Sequence, residues 1–227
     1  MNNYYLLSKI NVPRKLGIDP HAQAHKQSWE YNSFVKINDT MGLLAFTQNL
    51  NNTNKGPGWL VSFNIDTSGN VVRAAELNFE ADDNSYPSLI KLKENDDGST
   101  RVVLGYSGAN YIPDPGRPSV VNRRAYIRSY DIGSDGSITY KKVFELHEES
   151  NTEFKYFSLA KTSDSRLVVA YTQTGTNQFS HLKVFDIYSD GSFDFKFGLS
   201  DHHPAGTGLV HHTSLIKLKD NDDGTKW

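Results

Sequence analysis

The chain has 227 residues, with 24 Lys and Arg against 26 Asp and Glu, a formal net charge of −2 and no cysteine. That length suffices to bury a real core, in one large domain or two small ones. A near-neutral charge without a basic run argues against nucleic acid as the main partner, and the missing cysteines exclude a disulfide framework, a thiol nucleophile and cysteine-ligated zinc. No apolar stretch is long enough to span a membrane. The segment Met1–Ile10 lacks the apolar core of a signal peptide, which leaves the cytoplasm, or export by another route, as the expected location. Aromatic residues make up 12% of a chain whose mean hydropathy is −0.56, the profile of a turn-rich β protein.

In chain order, Tyr4-Tyr-Leu-Leu-Ser-Lys-Ile-Asn-Val12 reads as a third strand of a repeating unit and Arg14–Ile18 as its fourth. A full unit then begins at Tyr31-Asn-Ser-Phe-Val-Lys36. The same start returns at Tyr86-Pro-Ser-Leu-Ile-Lys91, at Tyr156-Phe-Ser-Leu-Ala-Lys161 and, with His212 in place of the tyrosine, at His212–Lys217. The serines stand at 33, 88, 158 and 214, spacings of 55, 70 and 56. The longest match is Ser88–Ser99 against Ser214–Thr225, which differ only by a Glu/Asp and a Ser/Thr exchange. A repeat at this period is the first thing to settle, because it decides the fold.

Each start is followed by a second apolar run (Leu43–Gln48, Val103–Gly108, Val168–Gln173) and a third ending in an aromatic, Asn or Asp, and Ile (Phe63–Ile65, Tyr130–Ile132, Phe185–Ile187). A turn with glycine at its end comes next, at Gly69, Gly136 and Gly191, and then a fourth run: Val71–Leu77, Ile138–Phe144 and Phe193–Phe197. Short β-branched and aromatic segments punctuated by Asp-Gly and Ser-Gly are strands joined by hairpins. The class is all-β.

Four strands per unit, in units of this length, resemble the blade of a β-propeller. The resemblance implies complete blades at about 31–78, 86–146 and 156–199, with half-blades at 1–18 and 212–227, about four blade equivalents in one propeller domain or propeller fragment. Three closures stay open: a four-bladed ring with an irregular last blade, a homodimer exchanging half-blades, and a fragment of a longer chain, which the break after Asp-Asp-Gly224 fits best.

The propeller topology places the turns between first and second, and between third and fourth, strands on one face. The opposite face takes Asn49–Gly58, Ser107–Arg123 and Thr174–Ser180, together with Asp19–Glu30, Asn78–Ser85, His147–Lys155 and Ser200–His211. Variable loops on a repetitive scaffold are where ligands bind. The candidate ligand-binding residues are Trp29, Tyr31, Trp59, Tyr86, Tyr111 and Tyr156 for stacking, and Asp114, Arg117 and His212 for directional polar contacts. The recurring Phe46, Tyr106, Tyr171, Phe63, Tyr130 and Phe185 are assigned to the core.

Histidines crowd two of these loops (His21, His25, His202, His203, His211, His212) without a closed zinc spacing. The acidic turns Glu94–Gly98 and Asp220–Gly224 offer hard oxygens to calcium, but Lys93 and Lys219 occupy the first ligand position. Asp96-x-Gly98-x-Thr100 also resembles part of the sialidase Asp-box, which is a structural turn in that family. No cofactor is expected. A glycosidase requires two carboxylates at a set separation, and Glu30, Asp114, Glu148, Glu149 and Asp201 are all candidates on the loop face, which without a geometric filter amounts to no assignment. The expectation is therefore a non-enzymatic, lectin-like module binding carbohydrate on its loop face, with a protein-interaction scaffold or a glycoside-processing hydrolase as the alternatives. Its partner is a glycan or a protein, and near-identical units would give multivalent sites.

Overall fold

The computed structural model describes residues 28–51, 54–80, 85–111, 121–150, 153–174, 178–203 and 215. They form twelve strands and, among the described residues, no helix. Sheet 1 comprises β1 (Ser28–Lys36), β2 (Met41–Asn51), β3 (Asn54–Ile65) and β4 (Val71–Glu80). Sheet 2 comprises β5 (Ser85–Glu94), β6 (Thr100–Tyr111), β7 (Val121–Ile132) and β8 (Ile138–Ser150). Sheet 3 comprises β9 (Glu153–Ser163), β10 (Arg166–Thr174), β11 (Gln178–Ile187) and β12 (Phe193–His203). Each is a four-stranded antiparallel meander in sequence order. The half-blades at 1–18 and 212–227 lie outside the described residues, apart from Leu215.

The strands are longer, and the loops shorter, than composition suggests. Asn49 pairs with Lys55 and Asn51 with Asn54, so that only 52–53 separate β2 from β3. Likewise β6 and β7 stay paired from Thr100↔Ile132 to Tyr111↔Val121 across a segment read as loop from Ser107 onward. Glu148 and Glu149, also read as loop, pair with Arg124 and Arg123 in the β7–β8 ladder. Asn, Gly and Ser disfavour strands only weakly, and a continuing ladder of backbone hydrogen bonds overrides that preference.

The turns are as the glycines require. Gly69, Gly98, Gly136 and Gly191 all have φ between 80° and 89°, the left-handed region that a β-carbon disfavours. Each turn is closed by paired backbone bonds, such as Gly136 N to Gly133 O (2.9 Å) and Gly133 N to Ser137 O (2.9 Å). The Asp97 carboxylate, offered above to calcium, accepts from the Ser99 amide (2.9 Å) and hydroxyl (2.6 Å) inside its own turn. Among the described residues no three His, Asp or Glu side chains are grouped to hold a metal ion.

The sheets meet most closely along their first strands, β1 beside β5 and β5 beside β9, and only thinly at their fourth strands. Two apolar clusters fill the joints. Leu43, Ala45 and Leu60 of sheet 1 pack with Val102, Leu104 and Tyr106 of sheet 2. Val103, Ala125 and Ile127 on the other face of sheet 2 pack with Leu167, Val169 and Tyr171 of sheet 3. The six recurring aromatics assigned to the core are all buried, none more than 3% exposed.

Polar contacts repeat at the same joints. The Ser33 hydroxyl of β1 accepts from the Leu89 amide of β5 (2.9 Å), and the Ser158 hydroxyl of β9 accepts from the Leu215 amide (2.8 Å). Lys91 donates to the Ile37 carbonyl (2.6 Å), and Lys161 donates to the Leu92 carbonyl one joint later. The third-to-fourth-strand turn of each following sheet docks on its predecessor. Ser62 donates to Gly136 O (2.5 Å) and Ser129 to Gly191 O (2.7 Å). At the second joint Arg101, 1% exposed, forks onto Asp131 and also donates to Tyr188 O (3.1 Å) and Ser189 O (2.9 Å).

Two outcomes follow for stability. A β-carbon at Gly69 or Gly98 meets nothing within 4 Å, whereas at Gly136 it would lie 2.5 Å from Ala74 Cβ and at Gly191 2.7 Å from Lys141 Cβ. Alanine at Gly69 should therefore cost about 1 kcal/mol, the backbone penalty alone. Gly136→Ala and Gly191→Ala should lose a further ~1–3 kcal/mol from overpacking, read as denaturant midpoints. Burial raises the Asp131 carboxyl, but the Arg101 guanidinium, Asn95 and Lys141 hold it below its ordinary range overall. A depressed carboxyl pKa stabilises the fold above about pH 4, and that contribution is lost as pH falls through the folded value. Asp131→Asn strands Arg101 and should cost about 3–5 kcal/mol at neutral pH, with a flatter acid limb of the stability curve.

Candidate functional site

Three tyrosines define the site. Tyr31, Tyr86 and Tyr156 occupy the same place in three units, and all three adopt left-handed backbone angles, φ 49°, 55° and 55°. They are the only non-glycine residues with positive φ among those described. Each lies where its first strand slips register against the second: between Glu30 and Ser33 in β1, between Ser85 and Ser88 in β5, and between Lys155 and Ser158 in β9. The extra residue of such a bulge normally falls to glycine. Here a bulky aromatic takes it three times, at a cost of about 1–3 kcal/mol each.

The bulge turns the rings towards one another. The Tyr31 and Tyr86 centroids are 4.2 Å apart with planes tilted 46°, and those of Tyr86 and Tyr156 are 5.1 Å apart at 57°. The three rings thus form a row bridging all three sheets, and each side chain stays half-buried. The row stands at the amino-terminal ends of β1, β5 and β9, the end from which the second-to-third-strand connections also leave. Burial, the hydrogen bond with Tyr31 and the nearby Glu153 carboxylate push the Tyr86 phenol well above its usual range. Glu153 is itself paired with Lys155.

Polar clusters sit in the joints at the same end. Between sheets 1 and 2, Arg128 donates to the Phe79 carbonyl and to Glu80 Oε2 (3.0 Å), which also accepts from the Tyr106 hydroxyl (3.1 Å). The guanidinium lies 5.2 Å from the Tyr106 ring centre. Between sheets 2 and 3, Lys183 repeats the reach of Arg128 and donates to the Leu146 carbonyl. Behind it the buried His181 ring stacks on Tyr171 and bridges Gln173 (2.9 Å) and Ser200 (2.8 Å). Cross-strand pairs Phe46↔Trp59, Tyr106↔Tyr126 and Tyr171↔His181 fill one repeat position with an aromatic ladder.

The structure brings together Tyr31, Tyr86 and Tyr156 and gives Trp59 a different place. Trp59 is on β3, half-buried against Leu44, Phe46, Val61 and Phe63, and its indole Nε1 is buried without a hydrogen-bond partner. It belongs to the packing of sheet 1. Trp29 lies on β1 opposite Gln48, and Tyr111 closes β6 opposite Val121. Asp114, Arg117 and His212 lie outside the described residues. Of the expected carboxylates, Glu30 pairs with Thr47 in the β1–β2 ladder and Asp201 with Ser180 in β11–β12; both are strand rather than loop residues. His202 and His203 likewise extend β12 opposite Phe179 and Gln178.

Sequence reading missed Arg128, Glu80 and the left-handed tyrosines. The signal for Arg128 was a charge on an inward face where the other units carry Val61 and Lys183. Nothing short of the backbone angles reveals the tyrosine bulge.

The phenols give a direct check. Burial pushes Tyr130 up to about 12, tempered by Arg128, and holds Tyr106 and Tyr171 above their ordinary range. A raised phenol pKa contributes stability that is complete below the unfolded value near 10 and is lost as pH climbs through the folded one. Absorbance titration should therefore show exposed tyrosines ionising near pH 10 and the buried set ionising later, together with unfolding. A single wave of all twelve tyrosines at pH 10 would contradict this packing.

No family model matches the chain, and no curated protein or solved structure is significantly similar to it.

Proposed function

We propose that the three sheets are consecutive blades of a β-propeller and that the chain is a non-enzymatic, lectin-like module taking carbohydrate on its loop face. The radial reading is supported by sheets that crowd along their first strands and thin out at their fourth, with one set of joint contacts used twice. The binding reading is carried by the tyrosine row. Backbone strain held at three equivalent positions, to gather half-exposed rings at the loop end, is the kind of strain that marks a ligand site.

Ring centres 4–5 Å apart leave no gap between them, so the ligand lies across the row rather than within it. Phenol faces pack against the C–H face of a pyranose, and hydroxyls at the ring edges hydrogen-bond its hydroxyls, the mixed apolar and polar surface that tyrosine offers. The Glu80–Arg128 pair, backed by the buried Tyr106 hydroxyl, lies at the same end with both charged side chains about one-fifth exposed, and supplies directional contacts at the first joint.

Screening against a broad array of mono- and oligosaccharides, followed by calorimetry on any hit, tests this. Tyr86→Asn removes the central ring while keeping a residue that tolerates left-handed backbone angles. It should weaken binding about tenfold or more, roughly 1.4 kcal/mol, measured well below the variant's own melting temperature so that stability lost with the ring's packing does not enter. Silence across the array, or a hit that Tyr86→Asn leaves unchanged, overturns the reading.

A further inference from the structure

The two joints share a plan at the loop end and differ there in one residue. At the first, Arg128 of β7 reaches the Phe79 carbonyl, and Glu80 Oε2 accepts from both Arg128 (3.0 Å) and the Tyr106 hydroxyl (3.1 Å). At the second, Lys183 of β11 reaches the Leu146 carbonyl in the same way, and Tyr171 takes the place of Tyr106. The cation lies beside the ring in both, 5.2 Å from the Tyr106 centre and 5.9 Å from that of Tyr171. Register matches the fourth strands. Phe79 and Leu146 are each the extra residue of a bulge, so Glu80, opposite Gly58, corresponds to His147, opposite Ala125.

The second joint therefore keeps both donors and has histidine in the sequence where the first has the carboxylate that receives them. Tyr171 is fully buried, and its hydroxyl has no hydrogen-bond partner. Lys183 is half-buried, and among the described residues no carboxylate forms an ion pair with it. Burial alone acts on its ammonium, holding the pKa below the ordinary lysine range. His181 does not serve the pair, because its ring nitrogens are engaged by Gln173 (2.9 Å) and Ser200 (2.8 Å). A buried hydroxyl without an acceptor and a desolvated ammonium without a counter-charge are both costly, and one anion relieves both.

We propose that the second joint binds a carboxylate carried by a ligand, held between Lys183 Nζ and the Tyr171 hydroxyl as Glu80 is held between Arg128 and Tyr106. One ammonium and one hydroxyl match a singly charged group with two oxygens, the group that Glu80 itself supplies. The carboxylate is that of a small free acid or of an acidic sugar. The site stands on the comparison of the joints; only its sugar-borne source rests on the carbohydrate reading.

Thermal melting of the full chain in sodium acetate against sodium chloride, at equal ionic strength, tests this. At about five times its Kd, acetate should raise the melting temperature by about 2–4 °C over chloride. Lys183→Met should remove that difference, and Tyr171→Phe should shrink it. His147→Glu writes the first joint's carboxylate into the second. It should raise the melting temperature in chloride and remove the acetate response. No difference between the salts in the parent overturns the proposal. So does a difference that Lys183→Met and His147→Glu both retain, which is a general salt effect. Glucuronate separates the sources: action at about tenfold or more lower concentration than acetate makes the carboxylate sugar-borne, equal action makes it a free acid, and either supports the site. A sugar-borne advantage should be cancelled by Tyr86→Asn while the acetate response survives, so the two readings fail separately.

Discussion

A four-stranded sheet has two faces and cannot bury both by itself, so each unit of this chain depends on the next. The joint between consecutive sheets is the constraint from which the rest follows. Apolar side chains supply most of its free energy, at about 25 cal/mol for each Å² removed from water. They do not fix how one sheet sits on another, because apolar contact is non-directional. Orientation comes from the buried polar contacts: a serine hydroxyl on a glycine carbonyl at each joint, and a first-strand lysine on the preceding backbone. At the second joint the Arg101–Asp131 fork adds two more carbonyls. An unpaired buried donor costs about 1–3 kcal/mol, more if charged. A rotated or slipped sheet would strand several donors at once, and that penalty selects one geometry.

The repeat made much of this legible in the sequence. Strand number, strand order and the positive-φ glycines all follow from apolar runs punctuated by Gly69, Gly98, Gly136 and Gly191, because those signals are local. The inward aromatics were legible for the same reason: Phe46, Tyr106 and Tyr171 recur in register and are all buried, Tyr106 and Tyr171 in the joints and Phe46 within sheet 1. Strand ends were not legible. Residues 107–111 read as loop, yet pair with β7 as far as Tyr111, since ladder extension depends on a partner far away in sequence. The ion pairs at the joints were hidden too, because Arg101 and Asp131, or Arg128 and Glu80, meet only after strands have paired and sheets have stacked.

The candidate site shows the same division more sharply. The tyrosines were visible as residues that repeat, and their common position on the loop face followed from strand order. Their meaning was not, since an aromatic heading a strand is ordinarily a packing residue. What separates them from packing is the backbone. A bulge can be built at lower cost with glycine, and among the described residues every other positive φ, at the four turns, falls to glycine. Tyrosine at the same kind of angle, three times over, therefore reflects a demand for the ring itself.

That demand has a structural component alongside the proposed functional one. The rings touch across two joints, and Ser33, two residues after Tyr31, accepts the amide that ties β5 to β1. Positioning the rings and fixing the inner strands are thus one operation: the bulge that turns each tyrosine towards its neighbours also resets the register before the serine that anchors the next sheet. A ligand lying on the row would contact all three sheets at the line where they meet most closely. Binding there, as proposed, would be coupled to the geometry of the joints rather than to any single loop. The strain at the tyrosines is sustained by the same inter-sheet contacts that hold the fold, so the scaffold's stability and the preorganisation of its candidate site draw on one set of interactions.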